Sequence, residues 1–200
     1  MTTALNIAAQ IKQLLQSAQQ PALAPYLSDW PSNGQRRAVA PCELPVLRWL
    51  PQIAGDTAAF GVEVVAAVAR AAPSLAWRRT YTAQELGAAF IDNYGWSEIF
   101  GANGPLASKR IACGFLILGP ATHYPRHRHE AEEIYLPLSG TAGWQQGDAI
   151  WRERPPGTLI HHASGEPHSM RTSAAPLLAL YLWRSANLAQ KARLDAGVLS

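Results

Sequence analysis

The stretch Gly119-Pro-Ala-Thr-His-Tyr-Pro-Arg-His-Arg-His-Glu-Ala-Glu-Glu-Ile-Tyr-Leu-Pro-Leu-Ser-Gly140 constrains this chain more than any other. It sets His127 and His129 two apart, then Glu133 and Tyr135 two apart. Side chains at i and i+2 of a β-strand point to the same face. Two adjacent strands of this composition therefore aim two imidazoles, a carboxylate and a phenol into one space. A single histidine is most often a hydrogen-bonded core or surface side chain, but all six histidines here lie between His123 and His168. A bound metal accounts for that clustering best, with a further nitrogen ligand supplied from downstream.

The rest of the chain suits one soluble domain. Its 200 residues are 48% apolar and 16% charged, enough to bury a core. The net charge is only +3, and Lys and Arg are scattered in ones and twos. A nucleic-acid binder needs a basic face, so that class is excluded. Apolar runs such as Ile111–Leu118 are too short to span a bilayer. Met1-Thr-Thr-Ala opens no secretory signal, which points to a cytoplasmic protein. Cys42 and Cys113 fall in neither a CxxC nor a zinc-knuckle spacing and read as two buried thiols.

Leu5, Ile7, Ile11, Leu14 and Leu15 give residues 3–20 a helical period, ended by Pro21 and Pro25. Residues 21–52 are Pro-rich and irregular. A second helix is expected from Asp56–Thr57 to Arg70, and a third from Thr82 to Asn93, where Thr82-Ala-Gln-Glu85 has the form of a capping box. The second half changes character. Seven short candidate strands span 111–118, 133–138, 141–146, 149–154, 158–163, 168–172 and 177–183, with Gly- and Pro-bearing turns between them. That pattern predicts an all-β barrel or sandwich. Residues 186–196 are expected to close the chain as a helix. The expected organisation is mainly β: a helical extension over 1–108 packing on a barrel over 109–200 that holds the metal site.

Glu133 follows His129 after three residues, and Gly140 lies six residues further. From His127 to Gly140 this resembles the first motif of the cupin superfamily, Gly-x5-His-x-His-x3-4-Glu-x6-Gly. The leading glycine departs from it, since seven residues separate Gly119 from His127. The second cupin motif, Pro-x-Gly-x-x-His, resembles Ala163-Ser-Gly-Glu-Pro-His168 except for its first residue. The resemblance implies a single double-stranded β-helix, or jelly-roll, barrel and one divalent metal ion held by His127, His129, Glu133 and His168. Zinc or iron leads, with manganese, nickel and cobalt also compatible. One of His161 and His162 is expected to line the pocket, His162 being taken as a substrate-binding group. His123 precedes the motif on a loop and is not expected to be a ligand.

The wider pattern is more specific. Tyr124, His127, His129, Glu133, Tyr135, Trp144, His161–His162 and His168-x-Met170 together resemble the cupin-type dimethylsulfoniopropionate (DMSP) lyases of the DddQ kind, over about residues 119–183. This implies a β-elimination that yields dimethyl sulfide and acrylate. A metal on the substrate carboxylate would act as a Lewis acid, and Tyr135 as general base, with Tyr124 the alternative base or a substrate-binding tyrosine. The substrate is a small zwitterion whose sulfonium is best held by aromatic faces, Trp183 first among them. A monomer or a homodimer is compatible, with no membrane or nucleic-acid partner. Two other readings remain: an Fe(II) cupin dioxygenase acting on a small organic acid, and a non-enzymatic small-ligand-binding cupin.

Overall fold

The apolar stripe near the start of the chain forms a helix, α1 (Thr3–Ser17), in the computed structural model, which describes residues 3–31, 35–55 and 60–195. Helix α1 buries Ala4, Ile7, Ala8, Ile11 and Leu15. Two short helices, α2 (Ala24–Ser28) and α3 (Leu50–Gly55), lead to α4 (Val62–Ala71). The expected opening of that helix at Asp56–Thr57 lies outside the described residues. Strand β1 (Trp77–Arg78) precedes α5 (Ala83–Asp92). The capping box forms: Glu85 N–H donates to Thr82 Oγ1 at 3.3 Å and Thr82 N–H to Glu85 Oε2 at 2.7 Å.

The remaining elements are strands: β2 (Tyr94–Gly101), β3 (Leu106–Ala107), β4 (Ile111–Leu118), β5 (His123–Arg128), β6 (Glu132–Ser139), β7 (Ala142–Gln146), β8 (Arg152–Arg154), β9 (Ile160–His162), β10 (His168–Thr172), β11 (Leu177–Arg184) and β12 (Arg193–Leu194). They form two sheets. One has the order β1-β2-β4-β11-β6-β9, with β3 beside β2, and the other β12-β5-β10-β7-β8. Pairing is antiparallel throughout except between β2 and β3.

Helices cover the outer face of the larger sheet, and this explains its sequence. On β11, Leu178, Leu180 and Leu182 join one core with Ile11, Leu15, Val65 and Val68. The alternate residues Leu177, Ala179 and Tyr181 join a second core inside the barrel with Tyr124, Trp144 and Met170. Strands buried on both faces read as continuous apolar runs instead of alternating ones. Gly140 turns β6 into β7 with φ +80, and a Cβ there would lie 2.0 Å from Pro176 O. Only glycine fits that turn.

Several expectations are corrected. Strands β1, β2 and β3 come from the N-terminal side of residue 108, so the larger sheet draws on both sides of that boundary. His123 opens β5 instead of lying on a loop. Among the described residues 186–195 no helix forms. Asn187 N–H donates to Ser185 Oγ, and Ala189 N–H to Asn187 Oδ1, local bonds that compete with helical ones. Cys113 is buried, but Cys42 is exposed; its backbone pairs with Leu75 and Trp77 and its side chain faces outward. Among the described residues, no helix is long and apolar enough to cross a membrane.

Leu180 is fully buried under the helices, whereas Ile150 is 75% exposed. Leu180→Ala is expected to cost about 2–5 kcal/mol, and Ile150→Ala no more than about 0.5 kcal/mol. Urea denaturation of the two variants checks this, and equal midpoints would contradict the packing described.

Candidate metal centre

Glu133 occupies the middle of the site because β6 is flanked in register by β11 and β9, which set Trp183 on one side of it and His162 on the other. Its side chain has no exposed surface. Oε1 accepts the Trp183 indole N–H at 2.6 Å. Oε2 lies 2.8 Å from His129 Nε2 and 3.3 Å from His168 Nε2. The second nitrogen is buried and makes no hydrogen bond.

The smaller sheet supplies the imidazoles. His127 on β5 and His168 on β10 are paired across the strands, and His129 stands in the connection from β5 to β6. Each Nδ1–H donates to a backbone carbonyl: His127 to Pro125 at 2.8 Å, His129 to Ala131 at 2.9 Å and His168 to Glu166 at 2.9 Å. Such bonds fix the tautomer and leave Nε2 as the metal-facing atom. One donor atom each from His129, Glu133 and His168 lie within 4.8 Å of one another. Three buried donors, two imidazole and one carboxylate, fit a divalent transition metal and leave coordination positions open.

Of the four ligands expected from the sequence, these three converge and His127 stands beside them. Its ring stacks on Tyr124 at 3.9 Å with a 7° tilt and meets the edge of His168 at 4.2 Å. Burial, then His168, holds His127 well below the usual imidazole range. The choice between His161 and His162 is resolved: His161 Nε2 points outward to Glu132 at 2.7 Å, while His162 is fully buried and stacks on His168 at 4.0 Å. Neither His162 nor His168, on which it stacks, is among the residues that line the cavity. Burial, then His168, pushes its pKa down to about 3.

Desolvation raises the Glu133 carboxyl, but His129 and His168 outweigh it and hold the group well below its ordinary range. For His129, desolvation acts downward and the Glu133 carboxylate outweighs it, so the imidazole is raised. At 2.8 Å each favours the charged form of the other.

A cavity of about 310 Å³ opens from this group. Tyr124, His127, His129, Glu133, Tyr135 and Trp183 line its inner end. Trp183 is half-buried, with its ring 4.3 Å from that of His129. Tyr135 lies with its ring 6.4 Å from that of His168. Burial, then the Glu133 carboxylate, raises the Tyr135 phenol well above its usual value. Tyr124 Oη is 3.2 Å from Tyr81 Oη, and burial raises this phenol too. Residues 188–192 run along the mouth, where Lys191 pairs with Glu85 at 2.9 Å. Sequence reasoning missed this strap, the Trp183–Glu133 bond and a second cavity carboxylate, Glu98. Each depends on register between strands distant in sequence.

A family model described as dimethylsulfoniopropionate lyase matches residues 19–179. The DMSP lyase DddQ of Ruegeria pomeroyi is 32% identical over 179 residues, covering 90% of this chain and 88% of the relative. A crystal structure of DddQ from Ruegeria pomeroyi DSS-3 superposes with a TM-score of 0.86 at 31% identity over 96% of both chains. A crystal structure from work on the DMSP lyases RdDddP and RnDddQII gives 0.88 at 27% identity, over 96% of this chain and 97% of the other. A cupin-2 domain of Rhodospirillum rubrum shares the fold, with a TM-score of 0.50 at 20% identity over 62% of this chain and 78% of the domain.

A metal ion at Glu133 competes with a proton on His129, whose binding the carboxylate favours. Glu133→Ala and His168→Ala are each expected to lower affinity for divalent metal by more than about 10-fold. Metal uptake by the unaltered protein should weaken as pH falls through the raised pKa of His129, because the protonated ring cannot coordinate. Metal content after dialysis between pH 5 and 8 checks both. Full retention by Glu133→Ala would contradict this ligand set.

Proposed function

The chain belongs to the dimethylsulfoniopropionate lyase family, and from that membership and the geometry of its cavity we propose that it eliminates dimethyl sulfide from DMSP to leave acrylate. The observation that supports this most is the convergence of His129, Glu133 and His168 beside a cavity that His129, Glu133 and Tyr135 line. One divalent ion would be held by these three residues, zinc or iron first, with manganese, nickel and cobalt also compatible. When bound, it would act as a Lewis acid toward the substrate carboxylate and favour the phenolate of Tyr135.

Tyr135 acts as the general base. A free phenol has a pKa near ~10, and burial with Glu133 raises this one further. The ionised form therefore depends on positive charge supplied at the His129–Glu133–His168 end. The phenolate takes a proton from the carbon next to the substrate carboxylate. The released pair forms the carbon–carbon double bond as the C–S bond breaks, and sulfur leaves as neutral dimethyl sulfide. Tyr124 binds instead of reacting, since its hydroxyl meets Tyr81 and its ring stacks on His127. Trp183 walls the cavity beside His129, and its N–H fixes Glu133.

Tyr135→Phe is expected to bind metal as the unaltered protein does and to lose at least about 100-fold in dimethyl sulfide release, the lower range for loss of a general base. Metal analysis and headspace sulfide measured on the same sample check this. Undiminished turnover would remove Tyr135 from the role of base.

A further inference from the structure

A row of paired residues crosses the inner face of the larger sheet. Glu98 on β2 is opposite Gly114 on β4, Gly114 is opposite Tyr181 on β11, and Tyr181 is opposite Tyr135 on β6. At about 4.8 Å per strand, β2 stands about 14 Å from β6. The row thus runs from beside Glu133 to a second carboxylate on the far wall. Glu98 is 7% exposed. It and Glu133 are the two carboxylates among the described residues lining the cavity. Tyr94 and Trp96 on β2 and Tyr181 on β11 also line the cavity. Gly114 contributes no side chain to the row, and a Cβ there would lie 2.7 Å from Tyr181 Oη. The glycine gives the Tyr181 ring room to reach across β4.

Glu98 is held firmly. Its Oε1 accepts the amides of Asn103 and Gly104 at 2.5 and 2.7 Å. Gly101, at φ +146, passes so close that a Cβ would lie 2.6 Å from that oxygen. Arg37 bonds the carbonyls of Gly101 and Ala102 in the same turn instead of pairing with the carboxylate. Burial outweighs the two amides and Arg37, so the Glu98 carboxyl is raised above its ordinary range, and a cation arriving beside it would favour the ionised form. Of the cations on the cavity lining, Arg79 and Lys191 are engaged with Asp92 at 3.3 Å and Glu85 at 2.9 Å, and Arg78 is exposed to solvent. Glu133 is committed to His129 and Trp183. Glu98 is therefore the positioned carboxyl on the cavity lining that forms no ion pair among the described residues and could meet a cation there.

We propose that Glu98 determines specificity for the cationic end of the substrate: with the carboxylate end at His129, Glu133 and His168, the onium group lies among Trp96, Tyr181 and the Glu98 carboxylate. This rests on the lyase reading above. A sulfonium has no N–H or O–H to donate, so its recognition falls to aromatic faces and to a rigid negative charge. A neutral group of the same shape meets the same aromatic walls and gains nothing from Glu98.

The test uses metal-loaded protein and two shape-matched ligands, 3-(trimethylammonio)propionate and its neutral counterpart 4,4-dimethylpentanoate, with dissociation constants measured by calorimetry. The unaltered protein is expected to prefer the ammonium ligand by about 10-fold. Glu98→Gln keeps an acceptor for the Asn103 and Gly104 amides but removes the charge. In it the preference should fall to about twofold or less, with affinity for the neutral ligand unchanged. Glu98→Asp, which keeps the charge, should retain most of the preference. The assignment is overturned if the unaltered protein binds both ligands equally, if Glu98→Gln keeps the preference, or if Glu98→Asp loses it while Glu98→Gln does not. Dimethyl sulfide release from DMSP is measured in parallel. Its absence alongside an intact charge preference would sink the lyase reading and leave Glu98 as a cation site, whereas its presence with no charge preference would sink only the role of Glu98.

Discussion

A carboxylate with no exposed surface has to be met by donors or cations, because an unpaired buried charge is among the costliest things a fold can hold. Glu133 is that group. Its partners come from both sheets: Trp183 from the larger one, His168 from the smaller one, and His129 from the connection between them. Much of the architecture serves this meeting. The β5–β6 connection is short, so His129 and Glu133 follow one another across the barrel instead of lying side by side in one sheet. The β9–β6–β11 register brings His162 and Trp183 to either flank. Helices α1 and α4 seal the outer face, which allows β4, β6 and β11 to be apolar on both sides and rigid.

Much of this was legible in the sequence, for reasons that can be named. Strand boundaries at Ile111–Leu118 and His168–Thr172 match what the flanking turn residues suggest. The Thr82–Glu85 box is a local signal and formed where expected. The spacing of His129 and Glu133 marked the site because a short connection must deliver both. What was not legible depends on distant partners. Strand β2 carries two glycines and is buried on nearly every residue, so it lacks the alternation that marks a half-exposed strand. His127 and His129 look equivalent in sequence, yet His127 is packed between Tyr124 and His168 while His129 reaches Glu133. Glu98 has no motif around it, and only the pairing of β2 with β4 brings it to the cavity.

The two ends of the cavity differ in chemistry in the way a zwitterion requires. At one end two imidazoles and a carboxylate form a site for a cation that can in turn take a substrate carboxylate. At the other, aromatic rings surround a carboxylate fixed by a backbone turn. The tyrosine that lines the inner end, Tyr135, lies on the strand that carries Glu133, two residues on, so one strand positions both the proposed metal ligand and the proposed base. Elimination needs both near the same carbon, and the two-residue period of a strand provides that without a mobile loop.

The most direct test of a metal-dependent elimination is to mix purified, metal-loaded protein with DMSP and measure headspace dimethyl sulfide together with acrylate in solution, before and after chelation. Equal amounts of both products, lost with chelator and restored by zinc, iron, manganese, nickel or cobalt, are the expected result. Undiminished release from metal-free protein would contradict the role given to His129, Glu133 and His168, and no release from metal-loaded protein would contradict the elimination itself.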